Sequence, residues 1–155
     1  MTMSMGMDQA KREMMAAAVT EVLADTYALY FKTHAYHWNV TGPRFHDLHT
    51  LFEAQYNEMW TATDEIAERV RALGVKAPSS YAEMDNSAKV QSGANQSDAT
   101  DMLADLLAGH EQVATTIRAA LAKASDLGDE ASADVLTPRL TAHEKMGWML
   151  RSTLG

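Results

Sequence analysis

Cysteine is absent from the 155 residues, which excludes disulfides, thiolate zinc sites, iron–sulfur ligation and a cysteine nucleophile. Proline is nearly absent, at Pro43, Pro78 and Pro138 only, and the 8 glycines fall mostly between long periodic segments. A chain so poor in helix breakers reads as a few long helices. Positive charge is in deficit: 13 Lys+Arg face 21 Asp+Glu, for a formal net charge of -8. Such a surface is a poor generic partner for phosphate backbones or anionic membranes. No apolar run approaches the roughly 20 residues of a membrane span. Met1 to Asp8 shows no basic segment leading into an apolar one, so no secretory signal is expected and the expected address is the cytoplasm.

What remains is ordinary for a globular domain. Apolar residues make up 46% and charged residues 22%, and the length suits one core. Residues 1–8 are expected to form a flexible tail and 9–155 a single domain. Asp8 is a plausible N-cap for a helix from Gln9 to about His37. Trp38 to Pro43 reads as a turn, with Pro43 pre-set for the first turn of a second helix that runs to Leu73 and stops at Gly74. The stretch from Val75 to Gln96 has little amphipathic pattern, although Ser80 and Glu83 stand at capping-box spacing for one short helix. A third long helix is expected from about Ser97 to Ala124. A fourth is expected from about Asp129 to Leu154, bent where Pro138 removes a backbone donor. Short, long and short connections place the second and third long helices parallel. The expected fold is therefore all-α, a four-helix bundle of the one-crossover, ferritin-like kind.

Chemistry concentrates on the second helix. At about 100° per residue, with His49 at zero, Glu53 falls near 40°, Asp64 near 60° and Glu68 near 100°. Phe45, Leu48, Phe52, Tyr56, Met59, Ile66 and Val70 fill the adjoining sector. For any one carboxylate, a solvated helix edge explains the placement. As a set, His49/Glu53 and Asp64/Glu68 are two i,i+4 pairs, each able to chelate one ion. Imidazole with carboxylate suits iron, zinc or manganese, and spacing does not choose among them. His49 and Asp64 lie about 22 Å apart along the axis, so one helix cannot bring both pairs to one ion. Two helices crossing antiparallel about a two-fold axis can, and each such contact yields two sites. His37, ending the first helix, can join the His49/Glu53 half.

These residues carry a resemblance. The string His37-Trp38-Asn39-Val40-x-Gly42-x-x-Phe45-x-x-Leu48-His49-x-x-Phe52-Glu53, followed by Asp64-x-x-Ala67-Glu68-Arg69 and Leu73-Gly74, resembles the signature of the Dps family of mini-ferritins. The resemblance implies a ferroxidase site at a dimer interface, with His37, His49 and Glu53 of one subunit facing Asp64 and Glu68 of its partner. Many members carry Asp where this chain has Glu53, whose carboxylate reaches one methylene further. The resemblance further implies a hollow homododecamer that oxidises Fe(II), with hydrogen peroxide preferred over dioxygen, and stores ferric mineral. It gives Trp38 a role in quenching radicals and makes Asp126, Glu130 and Asp134 lining residues of negatively charged three-fold pores. For those three, favourable placement near a helix N-terminus is the plain alternative.

Other signals weigh less. No Glu-x-x-His occurs, which argues against a di-iron site within one bundle. Neither His110-Glu111 nor His143-Glu144 extends to a zincin motif, and both histidines read as surface or core. His34 and His46 read as bystanders or secondary metal contacts, and Trp60 as packing at a dimer interface. The 11 methionines read as adaptable packing, with no chemistry assigned. Two rival functions stand beside iron oxidation: DNA binding with nucleoid association, and a non-catalytic, zinc- or manganese-loaded assembly. DNA binding is expected to be weak or absent, since the tails lack a basic arm.

Overall fold

In a computed structural model of the chain, which describes residues 3–155, helix follows helix with no strand among the described residues. Helix α1 spans Gln9–Asn39, α2 Phe45–Ala72, α3 Tyr81–Ser87, α4 Ala99–Leu127 and α5 Glu130–Leu154. The local stop and start signals explain most of these bounds. The Asp8 carboxylate accepts the Lys11 N–H at 2.9 Å and so opens α1. Ser80 Oγ accepts from Glu83 N at 3.2 Å, while Glu83 Oε2 takes the N–H of Ser79 at 2.8 Å, one residue ahead of the cap itself. Gly74, at φ 92, supplies the left-handed residue that ends α2.

Some boundaries differ from expectation. Pro43 lies in the turn before α2, closed by a 3.0 Å bond from Phe45 N to Gly42 O, so the helix begins two residues later. Asp98 caps α4, its carboxylate accepting from Thr100 N at 2.8 Å, so the helix begins at Ala99, two residues after Ser97, and it runs on to Leu127. Helix α5 contains Pro138 within its Glu130–Leu154 span, in line with the expected single helix. Of the expected tail, residues 1–2 lie outside the described residues. Its other end is tied, because Arg12 Nη1 donates to Met7 O at 2.5 Å.

Helix α1 packs on α2 and α4, and α5 packs on α4 and α2, which leaves α2 and α4 diagonal to each other. Arg44, just before α2, donates to Thr100 Oγ1 at the start of α4 and to Thr153 O at the end of α5. Those bonds put the first turns of α2 and α4 at one end of the bundle, so the two helices run parallel. At the other end Arg69 Nη2 grips Asp129 at 3.0 and 3.2 Å, and Arg69 Nε donates to Ser132 Oγ. The core is filled by side chains such as Val19, Leu23, Phe52, Ile66, Leu106, Ile117 and Leu150, all essentially free of solvent. On α2 the expected apolar sector is buried at Leu48, Phe52, Met59, Ile66 and Val70. Phe45 and Tyr56 keep part of their surface exposed.

The crossover, residues 73–98, is held by buried polar groups. Asp25 of α1 has no exposed surface, and its carboxylate accepts from Lys89 N at 2.6 Å, Val90 N at 2.9 Å and Thr116 Oγ1 at 2.6 Å. Tyr36 Oη donates to Asp105 at 2.5 Å and accepts from Gln96 N at 3.3 Å. Burial, with the Asp105 carboxylate beside it, pushes the Tyr36 phenol well above its usual range. Asp25→Ala would strand two backbone donors and a hydroxyl. A loss of about 3 kcal/mol is expected in urea unfolding, with faster amide exchange at Lys89 and Val90 than elsewhere. Unchanged protection at those two amides would mean that other contacts hold the crossover.

Candidate metal centre

The end of α1 and the first turns of α2 are clamped together by two histidines. His37 Nδ1 lies 2.7 Å from His49 O, and His49 Nδ1 lies 2.8 Å from His37 O. Their rings stack with centroids 3.7 Å apart and planes 14° from parallel. A carbonyl only accepts, so each Nδ1 must carry its proton and donate. That fixes the tautomer: in the neutral ring the lone pair sits on Nε2, which no hydrogen bond engages among the described residues. A neutral imidazole oriented through Nδ1–H to a carbonyl is the arrangement metal-ligating histidines use. His37 is buried and His49 half-buried, with Phe45 stacked on the outer side of His49 at 5.0 Å.

The carboxylates are placed differently. Glu53, one turn after His49, is exposed, as are Asp64 and Glu68 further along α2. Among the described residues no three His, Asp or Glu side chains of one chain come together as a metal site. The structure thus brings together His37 and His49, places Glu53 one turn away on the same helix, and leaves Asp64 and Glu68 about 22 Å along it. What one chain offers is a partly buried imidazole pair and, on the exposed face of α2, the carboxylates of Glu53, Asp64 and Glu68. Trp38 on α1 and Trp60 on α2 are 57% and 55% exposed.

Three aromatic partners of this region were not singled out from the sequence as site residues. Tyr56 stands edge-on to His37 at 5.1 Å. His34, expected as a bystander or a secondary metal contact, stacks on Tyr56 at 4.0 Å and on Trp38 at 4.1 Å, and its Nδ1 lies 3.1 Å from Tyr30 Oη. Burial, reinforced by His37, holds the His34 pKa below the ordinary imidazole value. The pairs Tyr30/His34 and Phe45/His49 are i,i+4 neighbours, a signal present in the sequence. His46 is exposed.

The remaining histidines lie in the core. His110 of α4 and His143 of α5 meet Nδ1 to Nδ1 at 2.9 Å, and Arg139 Nη2 lies 3.3 Å from His143 Nε2. Arg139 in turn pairs with Glu58 of α2 through both guanidinium nitrogens. Desolvation, with Arg139 adding repulsion, lowers the His110 pKa to about 3, and desolvation with His110 and Arg139 drives His143 well below 6.5. Both rings are neutral packing partners at neutral pH, in keeping with the core reading. Asp126, Glu130 and Asp134 are exposed, whereas their neighbour Asp129 is buried, caps α5 and holds Arg69. Bonds to Ser132 and the Arg69 charge outweigh burial and keep the Asp129 pKa low. No helix among the described residues is long and apolar enough to cross a membrane.

Comparison with known proteins places the fold. The ferritin-like domain family matches residues 16–155. A DNA protection during starvation protein of Bacillus anthracis is 36% identical over 140 residues, spanning 88% of this chain and 96% of that one. An uncharacterized low temperature-induced protein of Nostoc is 36% identical over 96% of this chain and 84% of its own. The crystal structure of a Dps protein from Vibrio cholerae O1, described as a member of a broad superfamily of ferritin-like diiron-carboxylate proteins, superposes with a TM-score of 0.92. It is 27% identical and covers 99% of this chain and 100% of its own.

Proposed function

The chain belongs to the Dps family of ferritin-like proteins, and from that premise we propose that it oxidises Fe(II) at sites shared between two subunits and stores the ferric product. The observation that carries this reading is the reciprocal His37–His49 clamp, which leaves both Nε2 atoms without a hydrogen bond among the described residues, with Glu53 one turn after His49 on the exposed face of α2. In this reading this set meets Asp64 and Glu68 of a second copy across a two-fold axis. Trp38 and Trp60 lose their exposed surface in that contact. Few ligands and no closed shell suit an ion that binds as substrate and leaves, unlike a structural metal. Zinc or manganese would occupy the same donors without turnover.

Hydrogen peroxide is the oxidant in this proposal. It takes one electron from each of two ferrous ions and, with two protons, leaves as two waters, so no hydroxyl radical is released. Twelve subunits close into a hollow shell, and the exposed carboxylates of Asp126, Glu130 and Asp134 draw cations to its pores. The proposed address is the cytoplasm, in keeping with a chain free of cysteine. Duplex DNA is bound weakly or not at all, because twelve copies at -8 repel its phosphates.

The test is anaerobic Fe(II) loading followed by peroxide or dioxygen at matched concentration, with ferric product and assembly mass as readouts. Faster oxidation by peroxide in a twelve-subunit particle is expected. Asp126→Asn/Glu130→Gln/Asp134→Asn should slow uptake without changing the mass. Oxidation no faster than in buffer would remove the ferroxidase reading. Submicromolar binding of duplex DNA by the metal-free particle at about 0.15 M salt would favour a nucleoid role instead.

A further inference from the structure

Beside the histidine clamp the aromatic rings form a connected set. Tyr30 Oη lies 3.1 Å from His34 Nδ1, and the indole of Trp60 lies 5.2 Å from the Tyr30 ring. Tyr56 stacks on His34 at 4.0 Å, stands 6.3 Å from Tyr30 and reaches His37 at 5.1 Å. Core packing does not account for this set. Trp60 is 55% exposed, Tyr30 is only half-buried, and an apolar contact has no need of a phenol bonded to an imidazole.

The chemistry of phenols supplies a reason. A tyrosine gives up an electron readily only if its proton leaves too, because the oxidised phenol is a strong acid. A base already hydrogen-bonded to the oxygen receives that proton without any side chain moving. The His34 imidazole, with Nδ1 3.1 Å from Tyr30 Oη, is such a base in the tautomer that keeps its lone pair on Nδ1. An indole whose ring centroid lies 5.2 Å from the Tyr30 ring gives the electron a short path.

We propose that Tyr30, hydrogen-bonded to His34, is a one-electron redox site that receives oxidising equivalents through Trp60 or Tyr56. This goes beyond the quenching role that resemblance assigns to Trp38, and its iron-linked part rests on the ferroxidase reading. When a single ferrous ion meets peroxide, it yields Fe(III), hydroxide and a hydroxyl radical. The radical takes one electron from Tyr30 and becomes hydroxide, while the phenolic proton moves to His34 and leaves a neutral phenoxyl. A second ferrous ion returns the electron to the phenoxyl oxygen, His34 returns the proton, and both residues are restored. Two irons are oxidised per peroxide, and the pairing of electrons survives even when the irons arrive one at a time.

The relay is testable without iron. Metal-free, full-length protein is pulsed with azide radical, which oxidises indoles, and indole and phenoxyl absorptions are followed. The expected result is a concentration-independent phase in which indole radical decays as phenoxyl forms. Tyr30→Phe should lose that phase while keeping its helix content. His34→Gln, which keeps the phenol, should slow it and alter its solvent isotope effect. An unchanged phenoxyl phase in Tyr30→Phe would overturn the assignment. In a second experiment Fe(II)-loaded protein receives peroxide and a spin trap. Tyr30→Phe should oxidise iron at the wild-type initial rate yet release more trapped hydroxyl radical, and equal release would also overturn the proposal. Wild-type protein that fails to oxidise iron would sink the ferroxidase reading, leaving the azide experiment to judge Tyr30.

Discussion

Mixing two inactive variants should restore iron oxidation. Asp64→Asn/Glu68→Gln keeps the His37/His49/Glu53 set, and His37→Ala/His49→Ala keeps the carboxylate pair. If each site draws one set from each of two chains, either variant alone loses both of its sites. Each should fall by more than about 100-fold, since even outer-shell changes at metal sites cost 10–100-fold. Random pairing makes half of the dimers mixed, and each mixed dimer has one intact site of two. The expected recovery is about a quarter of wild-type activity. The Asp/Glu variant is isosteric and leaves the hydrogen bonds of the clamp untouched, so folding is not at issue there. If both variants fold and co-assemble yet oxidise nothing, the shared-site arrangement is wrong.

Acid should destabilise the bundle through His110 and His143. In the unfolded chain both titrate near 6.5. In the folded chain burial holds His110 at about 3 and His143 well below its ordinary value. The unfolded state therefore binds protons that the folded state refuses. Their contribution is complete above about pH 6.5 and is lost as pH falls below it. The slope is on the order of 1 kcal/mol per pH unit for each histidine. Geometry reinforces the sign. A proton on His143 Nε2 would face the N–H of Arg139, and two protonated Nδ1 atoms cannot stay 2.9 Å apart. Urea midpoints measured between pH 7.5 and 4.5 should fall steeply for wild type. For His110→Gln/His143→Gln, which lacks both imidazoles, the slope should be visibly shallower. Parallel slopes would assign the acid sensitivity to other groups.

Helix positions and the shared face of His49, Glu53, Asp64 and Glu68 on α2 were legible in the sequence because both depend on local spacing. A period of 3.6 places His49, Glu53, Asp64 and Glu68 on one face whatever the rest of the chain does. Caps such as Asp8 and Ser80 act within three residues and were legible for the same reason. Contacts between distant segments were not. Asp25 resembles any acidic helix residue until Lys89 and Val90 arrive from more than sixty positions away. The His37–His49 clamp depends on how a five-residue turn sets one helix beside another, which spacing on either helix cannot report. Phe45 followed the apolar period yet stays 40% exposed, because the first residue of a helix lies at the bundle's end and covers a ring, not the core. Lys32 did the reverse: a charged residue buried beside Asp105, neutralised by a partner on another helix.

The reciprocal bonds between His37 and His49 also bear on the order of events when an ion binds. In domains that fold around a metal, much of the binding energy is consumed in ordering the chain, and chelators unfold them. Here the two imidazoles are aligned by backbone carbonyls before any ion arrives, so the ordering cost is already met by the helices. If the site is shared as proposed, binding energy is then free to draw two surfaces together, and an ion favours the paired state by mass action instead of building the protomer. A chelator should accordingly empty such a site and loosen its contact with a neighbour, while each bundle keeps its shape for the next load.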